Sequence, residues 1–316
     1  MLLFHDFSDV TLKGQYYLSE DDIKETIRDR GETIKSLNLN HCTWLSSRLV
    51  SWAISHCPNL QSLSVLECRI KVANLVQLVS RLPHLTSLAF SVRSFNDLKK
   101  DVFTPCRNVL KQLRTIYLYY SSRELSTMHY LGEHTTVFDY CDNLEHIYIG
   151  SAGMAIPELY RPLVTQPDRF TQLKSMCITS NIHAGAQMLY YGTLSQLPNA
   201  NIKFQSLVMP NVNFSEFIKK PDFRACLKHL EHLKYLDVFG SKVTFPKDFM
   251  CDLVQASQLE YLNLGASRVS GEQLELIAEN CPKLKMVNLF NCAEICQVSV
   301  RKSIYHTIKE TILTVF

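Results

Sequence analysis

The chain has 316 residues, 46% of them hydrophobic and 20% charged, a composition that supports a packed core and excludes an intrinsically disordered chain. Its net charge of +3 is too small, and its Lys and Arg residues too scattered, for a surface that tracks nucleic-acid phosphates. No eighteen apolar residues run together, which excludes a helix of membrane-spanning length.

The first ten residues, MLLFHDFSDV, place aspartates inside their only apolar stretch and have no basic start. They lack the features of a secretory signal, and the expected location is the cytoplasm and/or the nucleus. Phe7, Val10 and Leu12 read as an incomplete opening strand. The following SEDDIKETIRDRG predicts a helix: Ser19 can cap it, acids fill its first turn, Ile23 and Ile27 share a face, and Gly31 can end it. Residues 1–33 are therefore expected to form a partial repeat and a capping helix.

From residue 34 one pattern recurs to residue 292. Its clearest copy is LEYLNLGASRV, in which Leu259, Leu262 and Leu264 stand at i, i+3 and i+5, followed by the small Ser267 and by Val269. That is the L-x-x-L-x-L-x-x-N/C-x-L frame of a leucine-rich repeat. Leu262 and Leu264, two apart, predict a short strand with its apolar side turned one way and Tyr261, Asn263 and Gly265 turned the other. The second anchor of the frame recurs ten times, at Leu37, Leu63, Leu88, Ile116, Ile147, Met176, Leu207, Leu236, Leu262 and Val287.

The early repeats IKSLNLNHCTW and LQSLSVLECRI are followed by helical patterns, the first carrying Leu49, Ala53 and Ile54, the second Leu75, Leu78, Val79 and Leu82. Pro58, Pro83 and Pro282 stop such helices and turn the chain into the next strand. One strand and one helix per repeat predict an α/β leucine-rich repeat solenoid, a horseshoe with parallel strands on the concave face and helices on the convex face. About ten repeats over 34–292 would form one elongated domain. Between Leu88 and Leu236 the interval lengthens, and SSRELSTMHYLGEHTTVFDYCDN, SAGMAIPELYRPLVTQPDRF and NIHAGAQMLYYGTLSQLPNAN replace plain helix. Insertions of this kind lie on loops, where variation is tolerated and function often resides. The last stretch, SVRKSIYHTIKETILTVF, has Ile304, Ile308 and Ile312 four apart and predicts a closing helix within 293–316.

The eleven cysteines follow the repeat and no disulfide or zinc spacing. Cys42, Cys68 and Cys292 occupy the small position after the strand, and Cys57, Cys141 and Cys281 stand three residues before the next repeat's first anchor. They read as buried free thiols. Cys292 and Cys296 give only C-x3-C, without a second pair, so neither a metal nor any other cofactor is expected. No phosphate-binding glycine loop or zinc-protease motif occurs, and GSAG at 150–153 is not a nucleophile elbow. An enzyme, with catalytic residues of its own, is not expected.

Function is read instead from the side chains facing away from the anchors. Ser36, Asn38, Ser62, Ser64, Ser87 and Ala89 are small or polar, whereas the middle repeats present Tyr117, Tyr119, His146 and Tyr148. The later repeats add Tyr235, Asp237, Phe239, Tyr261, Asn263, Asn288 and Phe290. Aromatics suit a pleated surface by propensity alone, and a cluster of them left exposed is also the composition of a protein-binding site. Tyr117, Tyr119, Tyr148, Tyr235, Asp237, Phe239, Tyr261 and Phe290 are the expected contacts to a protein partner.

CPNLQSLSVLEC and CPKLKMVNLFNC, of the form C-P-x-L-x-x-L-x-L-x-x-C, resemble the cysteine-containing repeats of the F-box/leucine-rich repeat family. In that family an F-box segment binds the Skp adaptor of a cullin-RING (SCF-type) ubiquitin ligase, and the repeats capture the substrate. The resemblance thus implies the substrate-recognition part of such a ligase, presenting a protein on the concave face. The repeats begin almost at Met1 and no LPxE-type F-box start is seen, so the Skp adaptor and cullin are expected as partners only if an F-box lies upstream. A stand-alone scaffold or inhibitor without a link to ubiquitin is the alternative. A monomer that binds neither nucleic acid nor membrane fits both.

Overall fold

The computed structural model describes residues 8–94, 97, 101–121, 136–151, 161–180, 202–211, 230–241, 258–292 and 312–314. The chain divides into two compact units, Met1–Tyr160 and Arg161–Phe316. Most of the inserted middle segments, at 122–135, 152–160 and 181–201, lie outside the described residues.

In the first unit six strands follow one another in a parallel sheet: β1 (Asp9–Thr11), β2 (Ser36–Asn38), β3 (Ser62–Val65), β4 (Ser87–Val92), β5 (Thr115–Tyr120) and β6 (His146–Ser151). The anchors stand in register across it, Val10 with Leu37, then Leu63, Leu88, Ile116 and Ile147. The second unit repeats the arrangement with β7 (Ser175–Ser180), β8 (Ser206–Val208), β9 (Tyr235–Asp237), β10 (Tyr261–Asn263), β11 (Met286–Asn288) and β12 (Ile312–Thr314). Met176, Leu207, Leu236, Leu262 and Val287 are its aligned anchors. None of the ten anchors is more than 3% exposed, so the repeating frame is the core itself. The fold is an α/β leucine-rich repeat solenoid.

Helices α1 (Glu20–Arg30), α2 (Ser47–Ser55), α3 (Val72–Val79) and α4 (Arg107–Gln112) follow strands of the first unit, and α5 (Arg161–Thr165) and α6 (Gly271–Asn280) belong to the second. Ser19 caps α1 as its sequence predicts, accepting the Asp22 N–H while the Asp22 carboxylate accepts the Ser19 N–H at 2.8 Å. Ser270 caps α6 in the same reciprocal way with Gln273, and the Ser46 side chain accepts the Leu49 N–H at the start of α2. The buried stripes are Leu49, Val50, Ala53 and Ile54 on α2 and Val72, Leu75, Val76 and Val79 on α3. Leu78, expected in the second stripe, is half-buried, and Val76 takes its place.

A second regularity follows each short strand. Four residues past the anchors Val10, Leu37, Leu63, Leu207, Leu236, Leu262 and Val287 stand Gly14, His41, Glu67, Asn211, Gly240, Ala266 and Asn291, all with φ between 55° and 78°. This left-handed residue turns the chain out of the sheet. In several repeats the next side chain then donates back to a carbonyl of the preceding repeat: Cys42 to Leu12, Cys68 to Leu39, Ser267 to Val238 and Cys292 to Leu264, at 2.8 to 3.4 Å. A small donor is therefore needed there, which explains Cys42, Cys68 and Cys292. In β4 to β7 the strand runs six residues and continues through the same position, and these are repeats with the longer intervals.

Gly31 ends α1 as expected, with φ −54° and so not as a left-handed residue; an added Cβ would lie 2.0 Å from the His56 carbonyl oxygen. Glycine is needed there because the next repeat's backbone crosses against it. The expected closing helix within 293–316 fails at its end, where Ile312 lies in β12 opposite Met286. Leu313 pairs with Val287, so the frame takes one more step, and β-branched Ile312 and Thr314 favour extended backbone. Ile304 and Ile308 lie outside the described residues.

Candidate protein-binding surface

Strand alternation turns one side chain in two away from the core. In the first unit β5 buries Ile116, Leu118 and Tyr120 and turns Thr115, Tyr117 and Tyr119 to the open side. Parallel register then sets like positions side by side. Tyr117 stacks on Tyr148 of β6, ring centroids 6.0 Å apart and planes 14° from parallel. Tyr119 faces Gly150, where an added Cβ would sit 2.7 Å from the Tyr119 ring, so the ring lies directly against the neighbouring strand. The strands before β5 offer Ser36, Asn38, Ser62, Ser64, Ser87 and Ala89, small side chains beside the aromatic patch.

The second unit builds a similar motif with a polar pair inserted. Tyr235 and Tyr261 stack at 4.2 Å with planes 4° from parallel. Two residues on, the Asp237 carboxylate accepts the Asn263 amide at 2.9 Å across the strands and the Phe239 N–H at 3.0 Å. Two residues further, Phe239 lies over Gly265, whose added Cβ would meet the ring at 2.9 Å. Asn263 and Asn288 each accept the N–H two residues ahead, from Gly265 and Phe290, which fixes the loop leaving each strand. Phe290 is 46% exposed. All eight expected contact residues thus face away from the anchors: Tyr117, Tyr119 and Tyr148 in one unit, and Tyr235, Asp237, Phe239, Tyr261 and Phe290 in the other.

Burial raises the Tyr235 hydroxyl well above the usual phenol range, and its hydrogen bond with Tyr261 adds to this. Burial pushes the thiols of Cys57, Cys68 and Cys106 up to about 12 and those of Cys42 and Cys281 up to about 11. Such groups stay protonated near neutrality and are poor nucleophiles. None of the eight described cysteines is in a disulfide, while Cys226, Cys251 and Cys296 lie outside the described residues. Among the described residues no group of three His, Cys, Asp or Glu could hold a metal ion, and no helix is long and apolar enough to cross a membrane. A cavity behind β4 is lined by Val72, Leu75, Val79, Phe90, Phe103 and Leu110, with other apolar side chains and Cys106.

A further exposed patch escaped the repeat frame. Tyr16 and Tyr17, 67% and 77% exposed, stand on the loop between β1 and α1, and Tyr16 packs on Trp44 with centroids 4.6 Å apart. The Tyr-Tyr pair between Gly14 and the Ser19 cap was its visible signal.

A family model for the leucine-rich repeats of F-box/LRR-repeat protein 18 matches residues 23–123. Human F-box/LRR-repeat protein 18 is 27% identical over 107 residues, a stretch that covers 34% of this chain and 15% of that protein. Among solved structures, the complex of Rad7 and Elc1 in yeast contains a chain similar in fold, with TM-score 0.53 and 13% identity over 95% of this chain and 84% of that one. Over residues 23–123 the chain is similar to the leucine-rich repeat region of F-box/LRR proteins.

Proposed function

We propose that this chain is the substrate-recognition part of an SCF-type ubiquitin ligase, capturing a protein on the open side of its strands and presenting it for modification. The observation that carries the capture half is the pair of tyrosine stacks, Tyr117 with Tyr148 and Tyr235 with Tyr261, on the face that does not pack into the core. Stacked rings turn a large, rigid, amphipathic surface outward at low entropic cost, which is what protein interfaces select. The match of residues 23–123 to F-box/LRR repeats supports the ligase half. The action is binding and needs no chemistry from the chain's own residues.

The test is to tag the endogenous product, isolate it, and probe for the Skp adaptor and cullin. Captured proteins should turn over more slowly when Tyr235→Ala and Tyr261→Ala are introduced together. Recovery with the adaptor and stabilisation of captured proteins is the expected result. Captured proteins whose turnover does not change, with no adaptor, would overturn the ligase half and leave a binding module.

A further inference from the structure

We propose that the open side of the second unit carries a recognition site for an arginine side chain of the captured protein, with the Asp237 carboxylate as its counter-ion between two aromatic walls. The proposal rests on reading this face as a capture surface and adds the chemistry of what is captured.

Three successive rungs build the site. Tyr235 with Tyr261 forms the first, Asp237 with Asn263 the second, and Phe239 over Gly265 the third. Same-face residues on a strand are about 6.7 Å apart, which sets Asp237 one step from the Tyr235–Tyr261 wall, and the Phe239 N–H on its carboxylate keeps the third rung next to it. A cation seated on the carboxylate and leaning toward the Tyr235 ring comes within the roughly 6 Å over which aromatic rings attract it.

The carboxylate is held ready for such a partner. Asn263 donates to one oxygen at 2.9 Å and the Phe239 N–H to the other at 3.0 Å. Both donors are neutral, so they fix the orientation without cancelling the charge, and each oxygen keeps a further lone pair. Asn263 is itself only 8% exposed and its own oxygen accepts the Gly265 N–H, so the rung has little freedom to turn. Among the described open-side residues of β7 to β11, Asp237 alone is charged; its neighbours are Ser, Cys, Thr, Val, Tyr, Asn and Met. Its field reaches Cys177, two strands away, where it adds to the burial that pushes that thiol up to about 11. A negative charge, fixed by neutral donors among described open-side residues that are otherwise uncharged, is complementary to a cation. The flat guanidinium suits it better than an ammonium, because it can stack on rings and donate to both oxygens at once.

A random dodecamer library displayed on phage and panned against the whole chain tests the idea. Arginine should be enriched at one position. The best peptide should bind Asp237→Asn at least about tenfold more weakly, by fluorescence anisotropy, with the thermal midpoint unchanged. Replacing the enriched arginine by citrulline, which keeps the shape and removes the charge, should give the same loss with the protein untouched, so an unstable Asp237 variant would not leave the question open. Enriched peptides without a basic residue, or equal binding by Asp237→Asn and by the citrulline peptide, would overturn the arginine site. If those same peptides fail to bind the Tyr235→Ala, Tyr261→Ala variant, capture on this face survives without it; if they bind every variant equally, both readings fall. A library that yields no enriched peptide also counts against the proposal.

Discussion

Ala266 is held at φ 55° although it has no side-chain polar group to favour the left-handed region. Asn211 and Asn291 occupy the same turn position with a residue that tolerates it, and Gly240 with the residue that prefers it. Relief of about 1–2 kcal/mol of left-handed strain outweighs the roughly 0.5–1 kcal/mol of unfolded-chain entropy that glycine adds, so Ala266→Gly should stabilise the fold by up to about 1 kcal/mol. A higher urea midpoint at unchanged slope is the expected reading. Gly240→Ala is the converse, because φ is 70° and the new Cβ would meet the Asn211 side-chain oxygen at 2.3 Å. It should cost more than about 1 kcal/mol. Equal midpoints for both variants and the parent would show that the turn relaxes freely. These positions were not legible in the sequence, because His41, Glu67 and Ala266 carry no turn signal of their own. Gly31 was legible as the end of α1, but the reason for it was not: a crossing carbonyl, and not a left-handed φ, is what excludes a side chain.

At the scale of the strand, the open-side tyrosines and the anchors make separable contributions. Truncating Tyr117 with Tyr148, or Tyr235 with Tyr261, to alanine removes a stacked pair without opening a cavity in the core, and should change the thermal midpoint little. Each pair should nevertheless weaken partner capture by about 2 kcal/mol or more. Leu262→Ala is the control: the anchor is 0% exposed, and its loss should cost roughly 2–5 kcal/mol through the cavity left behind. Tyrosine pairs as destabilising as Leu262→Ala would show that the stacks belong to the core. The strands and their facing were legible because a period of two, repeated at like intervals, assigns every side chain in register to one side. The stacking partners follow from the same register. Tyr119 against Gly150 and Phe239 against Gly265 do not, since a glycine's role as a bed for a neighbour's ring appears only once two strands are paired. β12 was missed because four-residue spacing through Ile304, Ile308 and Ile312 satisfies a helix as well as Leu313 satisfies the repeat frame.

Across the whole molecule the cysteines tie the repeat design to pH. Burial, the leading cause, pushes Cys57, Cys68 and Cys106 up to about 12 and Cys42, Cys177 and Cys281 up to about 11, from 9.0 when unburied. Unfolded thiols therefore release protons from about pH 9 upward, while the folded ones hold theirs until about pH 11 to 12. The folded state binds more protons over that window, so stability must fall as pH rises through it. Below about pH 8 both states are protonated and this contribution is flat. Tyr120 and Tyr235, raised chiefly by burial above 10.0, act in the same direction at higher pH. Urea midpoints in reducing buffer should be level between about pH 7 and pH 8 and then decline steadily towards about pH 10. Cys57→Ala is the decisive variant. It should lower the midpoint at neutral pH, because Cys57 is wholly buried, yet make the alkaline decline shallower, because one thiol that had to stay protonated is gone. An alkaline decline as steep as the parent's would assign the loss to groups other than the thiols.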